Sequence, residues 1–198
     1  MHLLIATTNL GKIQEIKTIL VGLPIEIQTL ASYPEVFEFE EHGKSFAENA
    51  RQKVLHYATA TKQLTVAEDS GLEIDALGGA PGIHSARFNG DTYEKKFQRI
   101  YTKLKQQGVM GSQARFVCFA ALARPDKIIY ETCQTIEGNI STYPRGKGGF
   151  GYDPIFFFPP RGCTLAEMSL VDKTAVSHRG KAFLALKEFL DQSGECRK

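Results

Sequence analysis

Short apolar runs alternate with amphipathic stretches in the first part of the chain. Residues 3–6 form an apolar run bounded by polar residues, which is typical of a buried strand. Residues 24–30 alternate between polar and apolar types and predict a second strand. Residues 64–67 predict a third strand, which ends on the acidic pair Glu68 and Asp69. The pattern therefore predicts strands separated by helical segments.

The sequence also predicts helices in the segments between these strands. Asn9 is expected to cap a helix with a repeating apolar face. Ser45 and Glu48 have capping-box spacing and predict a helix that runs to about residue 60. Residues 92–107 also read as a helix. The expected apolar face of the first helix consists of Ile13, Ile16, Ile19 and Leu20.

The second half of the chain adds a predicted hairpin and a helical end. Residues 115–122 and 127–136 read as paired strands joined by a turn at 123–126. Residues 155–158 predict a strand stopped by two prolines, and Thr164 and Ser177 are expected to cap the last helices. The final helix, to about residue 190, is expected to bury Phe183, Leu184, Leu186 and Phe189. The sequence thus predicts an α/β fold with a mixed sheet.

Composition narrows the class of protein. The 198 residues suit one domain, and no repeat or linker divides them. A content of 42% apolar and 23% charged residues excludes general disorder, and a net charge of +2 argues against a nucleic-acid coat or a polybasic membrane protein. The cysteines, Cys118, Cys133, Cys163 and Cys196, lack zinc-knuckle spacing. With neither a signal peptide nor a membrane span in the sequence, we expect a cytoplasmic protein.

The turn between the first strand and the first helix can bind an anion. Gly11 allows close approach of the backbone, Lys12 adds a positive charge, and the helix dipole points at the same place. The alternative is a simple helix cap with a solvated lysine. The spacing differs from that of a Walker A loop.

A glycine-rich segment at residues 146–151 has the formal spacing G-x-G-x-x-G. An aromatic strand follows it where a dinucleotide-binding fold needs a helix, so we reject a nicotinamide cofactor. Phe150 lies between glycines, and its ring can stack on a planar base. A tight turn with Phe150 in the core is the alternative.

Two acidic pairs and a late basic group complete the candidate chemistry. Glu40–Glu41 and Glu68–Asp69 offer carboxylates of the kind that Mg²⁺ prefers. A solvated acidic surface is the ordinary explanation for the first pair. His178–Arg179 opens the last helix, where cations oppose the macrodipole, so we expect an anionic or carbonyl-bearing ligand there.

Taken together, these segments closely resemble the inosine triphosphate pyrophosphatase family. The resemblance extends from residue 7 to residue 180, and its blocks follow the family's order. They are residues 7–12, 41–50, 67–72, 77–87, 148–156 and 177–180. Three positions depart from the family pattern, namely Thr8 in place of Gly, Glu68 in place of Asp and His84 in place of Tyr.

The resemblance implies a fold and a reaction. The fold has two α/β lobes around an elongated mixed sheet, with the nucleotide in a cleft between them, in one domain over residues 1–198. The reaction is Mg²⁺-dependent hydrolysis of ITP, dITP or XTP to the monophosphate and pyrophosphate. A homodimer is also implied, with a purine nucleoside triphosphate as the partner and no nucleic acid or membrane.

Site residues are carried over by position from the same resemblance. The metal carboxylates are Glu41 and Asp69, and Asp69 is also the position of the proton acceptor, which we expect to orient water at the metal. The substrate-binding positions are Thr7, Thr8, Asn9, Leu10, Gly11, Lys12, Lys53, Ser70, Phe150, Gly151, Tyr152, Asp153, Lys173, His178 and Arg179. We hypothesise that Phe150 stacks on the purine and that donors near His178 and Arg179 meet its 6-keto oxygen.

Two other functions compete with this one. The first is a pyrophosphatase of similar architecture that prefers pyrimidine or modified nucleotides. The second is a catalytically silent nucleotide-binding regulator. Such a regulator is expected to lose an acidic or lysine position, whereas Lys12, Glu41, Lys53 and Asp69 are all present.

Overall fold

The structure is a computed structural model that describes residues 2–88 and 90–195. Its strands form one seven-stranded sheet in the order β2-β1-β3-β4-β5-β6-β7. Strand β1 pairs in parallel with β2 and β3, whereas β6 pairs antiparallel with β5 and β7. The predicted α/β fold with a mixed sheet is therefore confirmed. The strands are β1 (His2–Ile5), β2 (Glu26–Thr29), β3 (Leu64–Ile74), β4 (Gln113–Arg124), β5 (Lys127–Ile140), β6 (Phe156–Phe158) and β7 (Cys163–Thr164).

Five α-helices are described around these strands. They are α1 (Leu10–Leu20), α2 (Phe46–Thr61), α3 (Tyr93–Gln106), α4 (Leu170–Val176) and α5 (His178–Ser193). Two predicted caps are present, because Asn9 and Ser45 each accept a hydrogen bond from a backbone N–H in the first turn of α1 and α2. Thr92 caps α3 in the same way. In the described residues, no helix is long and apolar enough to cross a membrane.

The chain divides into two compact units. The first comprises residues 1–69, 118–134 and 179–198, as far as these are described. Strand β1 is buried on both faces here. Leu3 and Ile5 pack with α1 and α5, whereas Leu4 packs with α2. A strand covered on both sides explains why residues 3–6 read as a continuous apolar run.

The second unit comprises residues 70–117 and 135–178. Its core joins the end of β3 to α3 and β6, with Leu72, Ile100, Leu104 and Phe156 all buried. The predicted aromatic strand is thus present as β6, and it contributes Phe156 to this core.

Strand β3 corrects the prediction of a short strand at residues 64–67. It runs to Ile74, so Glu68 and Asp69 lie in the middle of the strand and not at its end. The strand continues because Leu72 and Ile74 supply the buried side chains of the second core. The acidic pair interrupts the apolar pattern without ending the strand.

The chain after β6 also differs from its prediction. Thr164 caps a single 3₁₀ turn at Leu165–Glu167, and Ser169 caps α4. On α5, Phe183 and Leu186 are fully buried, but Leu184 is 46% exposed and was wrongly assigned to the core. The helical period of 3.6 turns position 184 away from the stripe formed by 183, 186 and 190. Cys118 is buried and Cys133 is exposed, while Cys196 lies outside the described residues.

We predict that Leu186→Ala lowers the free energy of unfolding by about 2–5 kcal/mol, because it leaves a cavity in the first core. Leu184→Ala makes the same chemical change on the same helix and is expected to cost about 1 kcal/mol or less. Urea denaturation of both variants measures the difference. Equal losses would contradict the assignment of the α5 face.

Candidate active site

The acidic pair in β3 presents its two carboxylates to opposite faces of the sheet. Side chains alternate along a strand, so Glu68 shares a face with Val66, and Asp69 shares the other with Ala67. Val66 packs in the core beneath α1 and α5, and Ala67 packs beneath α2. The two carboxylates therefore meet different helices and different partners.

Glu68 is the centre of a buried chain of charges. Its Oε1 lies 3.1 Å from Nε of Arg179 and 3.0 Å from Nζ of Lys12. Arg179 also places Nη1 2.8 Å from Oε2 of Glu15 on α1. Side-chain exposure is 7% or less for Glu15, Glu68 and Arg179. The protein's own cations thus neutralise Glu68.

These ion pairs determine the protonation state of Glu68. Burial alone would raise the pKa of the carboxyl, but the charges of Arg179, Lys12 and Lys53 outweigh it and hold the pKa well below its ordinary value. The pairs also account for a cation in the first turn of α5. Arg179 opposes the helix dipole there, and two carboxylates compensate it.

Asp69 has a different environment on the α2 face. Nδ2 of Asn49 donates to its Oδ2 at 2.8 Å, and both residues are buried. Burial and, to a smaller extent, the negative charge of Glu41 raise the pKa of Asp69 to about 6, although the Asn49 hydrogen bond and the charges of Lys53 and Lys12 oppose the shift. A carboxyl with this pKa is ionised at neutral pH and accepts a proton readily.

Helix α2 holds the segment at residues 39–43, which carries Glu41, by a repeating contact. Tyr57 accepts from the Phe39 N–H at 3.0 Å, Lys53 donates to Glu41, and Asn49 Oδ1 accepts from the Gly43 N–H at 2.8 Å. Four helical residues rise about 6 Å, which is about one turn of the helix. Three alternate positions of the segment therefore contact three successive turns of the helix.

The turn predicted to bind phosphate leads directly into α1. The Asn9 N–H donates to Thr7 Oγ1 at 3.2 Å, and the Lys12 N–H donates to Asn9 Oδ1 at 3.1 Å. Since α1 begins at Leu10, Gly11 and Lys12 occupy its first turn and not the preceding loop. The side chain of Leu10 is 80% exposed.

A cavity of about 370 Å³ lies beside this turn, within the first unit. Thr7 and Thr8 form part of its wall, so the residue that replaces the family's expected glycine faces this space. The other lining residues are Leu10, Ile13, Thr29, Leu30, Ala31, Tyr33, Pro34, Val36, Glu38 and Tyr57.

Glu41 and Asp69 have the donor chemistry of a site for a hard cation. Two carboxylates suit Mg²⁺, which keeps several of its own waters and needs few protein ligands. The negative charge of Glu41 raises the pKa of Asp69, so the two groups interact electrostatically. Within residues 2–88 and 90–195, no group of three or more His, Cys, Asp or Glu side chains is placed to hold a metal. Among the described residues, the chemical fit to a hard cation therefore depends on Glu41 and Asp69.

The second unit holds another buried ion pair, formed by Asp153 and Lys173. Asp153 Oδ2 also accepts from the Phe150 N–H at 2.8 Å, and Nζ of Lys173 lies 4.8 Å from the centre of the Phe150 ring. A Cβ on Gly149 would lie 2.1 Å from Asp153 Oδ2, so this position has no room for a side chain. One carboxylate thus holds the aromatic loop against α4.

The remaining predicted residues of the second unit lie in packed positions. Tyr152 donates to the Ser85 carbonyl at 2.8 Å, and Gly151 has a positive φ of 67° that favours glycine. His178 is buried and stacks on Phe116, with 4.7 Å between ring centres. Ser70 is half-buried in β3.

Comparison with known proteins identifies the family. The model of the Ham1 family matches residues 3–189. The chain belongs to the Ham1 family. Its relatives include a dITP/XTP pyrophosphatase of Geobacter sulfurreducens, 42% identical over 98% of both chains. A dITP/XTP pyrophosphatase of Syntrophobacter fumaroxidans is 45% identical over 96% of this chain and 82% of the relative.

Solved Ham1 structures agree with this fold. A HAM1 protein from Coxiella burnetii has a TM-score of 0.88 and 35% identity, covering 97% of this chain and 99% of the other. The Staphylococcus aureus Ham1 protein has a TM-score of 0.86 and 35% identity, covering 98% and 100%.

The structure of this Ham1 protein adds residues that the sequence analysis missed. Glu15 pairs with Arg179, and Asn49 joins Gly43 to Asp69. The i, i+4 spacing of Asn49 and Lys53 was visible in the sequence and indicated one helix face. The residues that Asn49 and Lys53 contact could not be identified from the sequence.

In the metal-free Ham1 protein, we predict that Asp69→Asn increases stability above pH 6. The folded state raises the pKa of this carboxyl from 3.8 to about 6, so ionisation costs about 3 kcal/mol at 1.36 kcal/mol per pKa unit. This cost grows as the pH rises from 3.8 to 6, and the amide avoids it. Urea denaturation in EDTA at pH 8 and at pH 4 measures the difference, which is expected to vanish at pH 4. A less stable variant at pH 8 would contradict the prediction.

A second prediction concerns Glu68→Gln, which removes the counter-charge that Lys12 and Arg179 share and leaves Arg179 paired with Glu15 alone. We expect a loss of about 3 kcal/mol in the free energy of unfolding. Glu131→Gln is the matched control, because Glu131 pairs with Arg51 at 2.6 Å on a partly exposed surface, and such pairs contribute about 0–1 kcal/mol. Thermal and urea unfolding compare the two. Losses of equal size would show that Glu68 is not the central counter-charge.

Proposed function

We propose that the chain hydrolyses the non-standard purine nucleoside triphosphates ITP, dITP and XTP to the monophosphate and pyrophosphate. Relatives named dITP/XTP pyrophosphatase, which align over nearly the whole chain, support this proposal. The observation that carries it is the environment of Asp69, a buried carboxyl between Asn49 and Glu41 with a pKa of about 6. Such a group suits the activation of water.

The reaction cleaves the bond between the α- and β-phosphates. Water attacks the α-phosphorus, the bond to the bridging oxygen breaks, and pyrophosphate leaves with the bond electrons. We propose that Asp69 orients this water and accepts its proton. The products are therefore IMP and pyrophosphate, and the overall reaction is the conversion of ITP and water to IMP and pyrophosphate.

We propose that the cations of the first unit bind the triphosphate. Lys12 and the first turn of α1 present positive charge and backbone N–H groups, which suit phosphate oxygens. Lys53, two turns along α2 from its start, is the second lysine for phosphate. Thr7, Thr8, Asn9, Leu10 and Gly11 complete this part of the proposed site.

We propose Mg²⁺ as the cofactor, held by Glu41 and Asp69. When bound, the ion neutralises phosphate charge and lowers the pKa of its bound water. Asn49 and Lys53 hold the two carboxylates from one face of α2.

For the base, we propose that the ring of Phe150 stacks on the purine. Lys173 and Asp153 hold this ring, so the aromatic surface is already in place before a ligand binds. Ser70, Gly151, Tyr152 and His178 complete the base-binding residues that the family resemblance implies.

We propose that Arg179, oriented by Glu15 and Glu68, donates to the 6-keto oxygen. Adenine presents a 6-amino donor at this position and would leave buried donors facing a donor. As for the family, we propose a homodimer.

We predict that ITP and XTP yield the monophosphate and pyrophosphate in the presence of Mg²⁺, with ATP and UTP nearly untouched. Product analysis by ion-exchange chromatography, with GTP in the same panel and with EDTA as the metal-free control, tests reaction and specificity together. Asp69→Asn is expected to lower turnover by several powers of ten while nucleotide binding persists.

Three outcomes would contradict this function. Orthophosphate with a diphosphate would place cleavage at the γ-phosphate. Faster turnover of a pyrimidine nucleotide would favour the other pyrophosphatase specificity. Tight binding of ITP by the wild-type protein without turnover would favour the silent regulator.

A further inference from the structure

Asn49 links two parts of the proposed metal site. Its side-chain amide bonds to Asp69 on β3 through Nδ2, and to Gly43, in the segment that carries Glu41, through Oδ1. Both hydrogen bonds are 2.8 Å long, and Asn49 is only 2% exposed. One rigid planar group therefore spans the distance between the segment and the strand.

The orientation of this amide follows from the chemistry of its partners. The Gly43 N–H is a donor only, so it must face the amide oxygen of Asn49. The amide nitrogen then faces Asp69, whose ionised carboxylate accepts only. The reversed amide would set donor against donor at Gly43 and acceptor against acceptor at Asp69.

Gly43 has no room for a side chain at the other end of this link. A Cβ placed on it would lie 2.5 Å from Asn49 Oδ1 and 2.9 Å from the Cβ of Glu48. Both distances are shorter than real Cβ contacts allow. Close approach to Asn49 is thus the reason for glycine at position 43.

We infer that Asn49 is a positioning residue, which sets the carboxylate of Asp69 against the segment that carries Glu41. This inference rests on the proposed function, in which Glu41 and Asp69 hold the cation and Asp69 orients water. Asn49 touches neither substrate nor metal in this role. It fixes the plane of one carboxylate and the backbone that carries the other.

The first test compares Asn49→Ala with the wild-type protein. We expect kcat for ITP to fall about 100-fold, because outer-shell partners of metal ligands typically contribute 10–100-fold and small displacements of reacting groups have similar effects. The KM for ITP is expected to change less than about threefold, since the lysines that bind phosphate are unaltered. Without nucleotide, the Kd for Mn²⁺ measured by calorimetry is expected to rise about tenfold.

A double-mutant cycle tests whether Gly43 and Asn49 act through the same contact. Gly43→Ala displaces the amide while Asn49 and Asp69 remain, and we expect a fall in kcat of at least about tenfold. If both positions act through one link, the double variant is expected to lose no more than Asn49→Ala alone. Additive losses would overturn the inference.

Glu48→Ala is the matched control on the same helix turn. Its Oε2 accepts from the Lys44 N–H at 2.7 Å, so it tethers the residue that directly follows the segment, whereas Asn49 supplies the hydrogen bond to Asp69. We expect kcat within about threefold of the wild-type value. A loss as large as that of Asn49→Ala would assign the effect to tethering of the segment and overturn the role of the Asp69 bond.

Circular dichroism and melting temperatures accompany each variant, so that losses are compared between folded proteins. If Asn49→Ala does not fold, Gly43→Ala and its Mn²⁺ affinity decide the question. Wild-type kcat and Mn²⁺ affinity in either variant would overturn the inference. Wild-type turnover in Asp69→Asn would instead overturn the proposed function, whatever the result at Asn49.

Discussion

Two adjacent carboxylates buried in the middle of one strand impose the constraint on which the first unit depends. A buried charge is tolerated only when it is neutralised or hydrogen-bonded. Because strand β3 turns Glu68 and Asp69 to opposite faces, each must find its partners on a different layer of helices. Helices α1 and α5 supply Lys12 and Arg179 for one, and α2 supplies Asn49 for the other.

Glu68 and Asp69 have different partners, and the two environments favour different chemistry. Glu68 is neutralised so thoroughly that its pKa stays low, and a group in that state serves as a fixed counter-charge. Asp69 is buried and lies close to the negative charge of Glu41, so its pKa rises to about 6 although it receives a hydrogen bond. Divergent environments of neighbouring carboxyls are the usual way in which a fold separates a structural acid from a reactive one.

The elements that the sequence predicted well are those with local physical causes. Asn9, Ser45 and Thr92 cap helices through bonds to residues three positions away, and such patterns are visible in a sequence. The continuation of β3 was missed because its reason, burial of Leu72 and Ile74, lies in tertiary packing. Capping of α4 by Ser169 was missed because Thr164 has the same local signal and uses it on a short 3₁₀ turn.

In the candidate site, too, local features were visible in the sequence and long-range contacts were not. Family motifs located Lys12, Glu41, Lys53 and Asp69 as chemistry-bearing positions, but their partners are distant in the chain. Glu68 and Arg179 are 111 positions apart, and pairing of this kind leaves no local pattern. The sequence therefore predicted which residues carry charge, and packing decided which of those charges neutralise one another.

The match between α2 and the segment at residues 39–43 limits how this region can evolve. Contacts at Phe39, Glu41 and Gly43 recur every two residues, against every four on the helix. An insertion or deletion of one residue inside the segment would shift at least one of these three positions away from the helix turn that it contacts. Length variation among relatives is therefore expected to accumulate before Phe39, and the five-residue stretch to be inherited as a block of constant length.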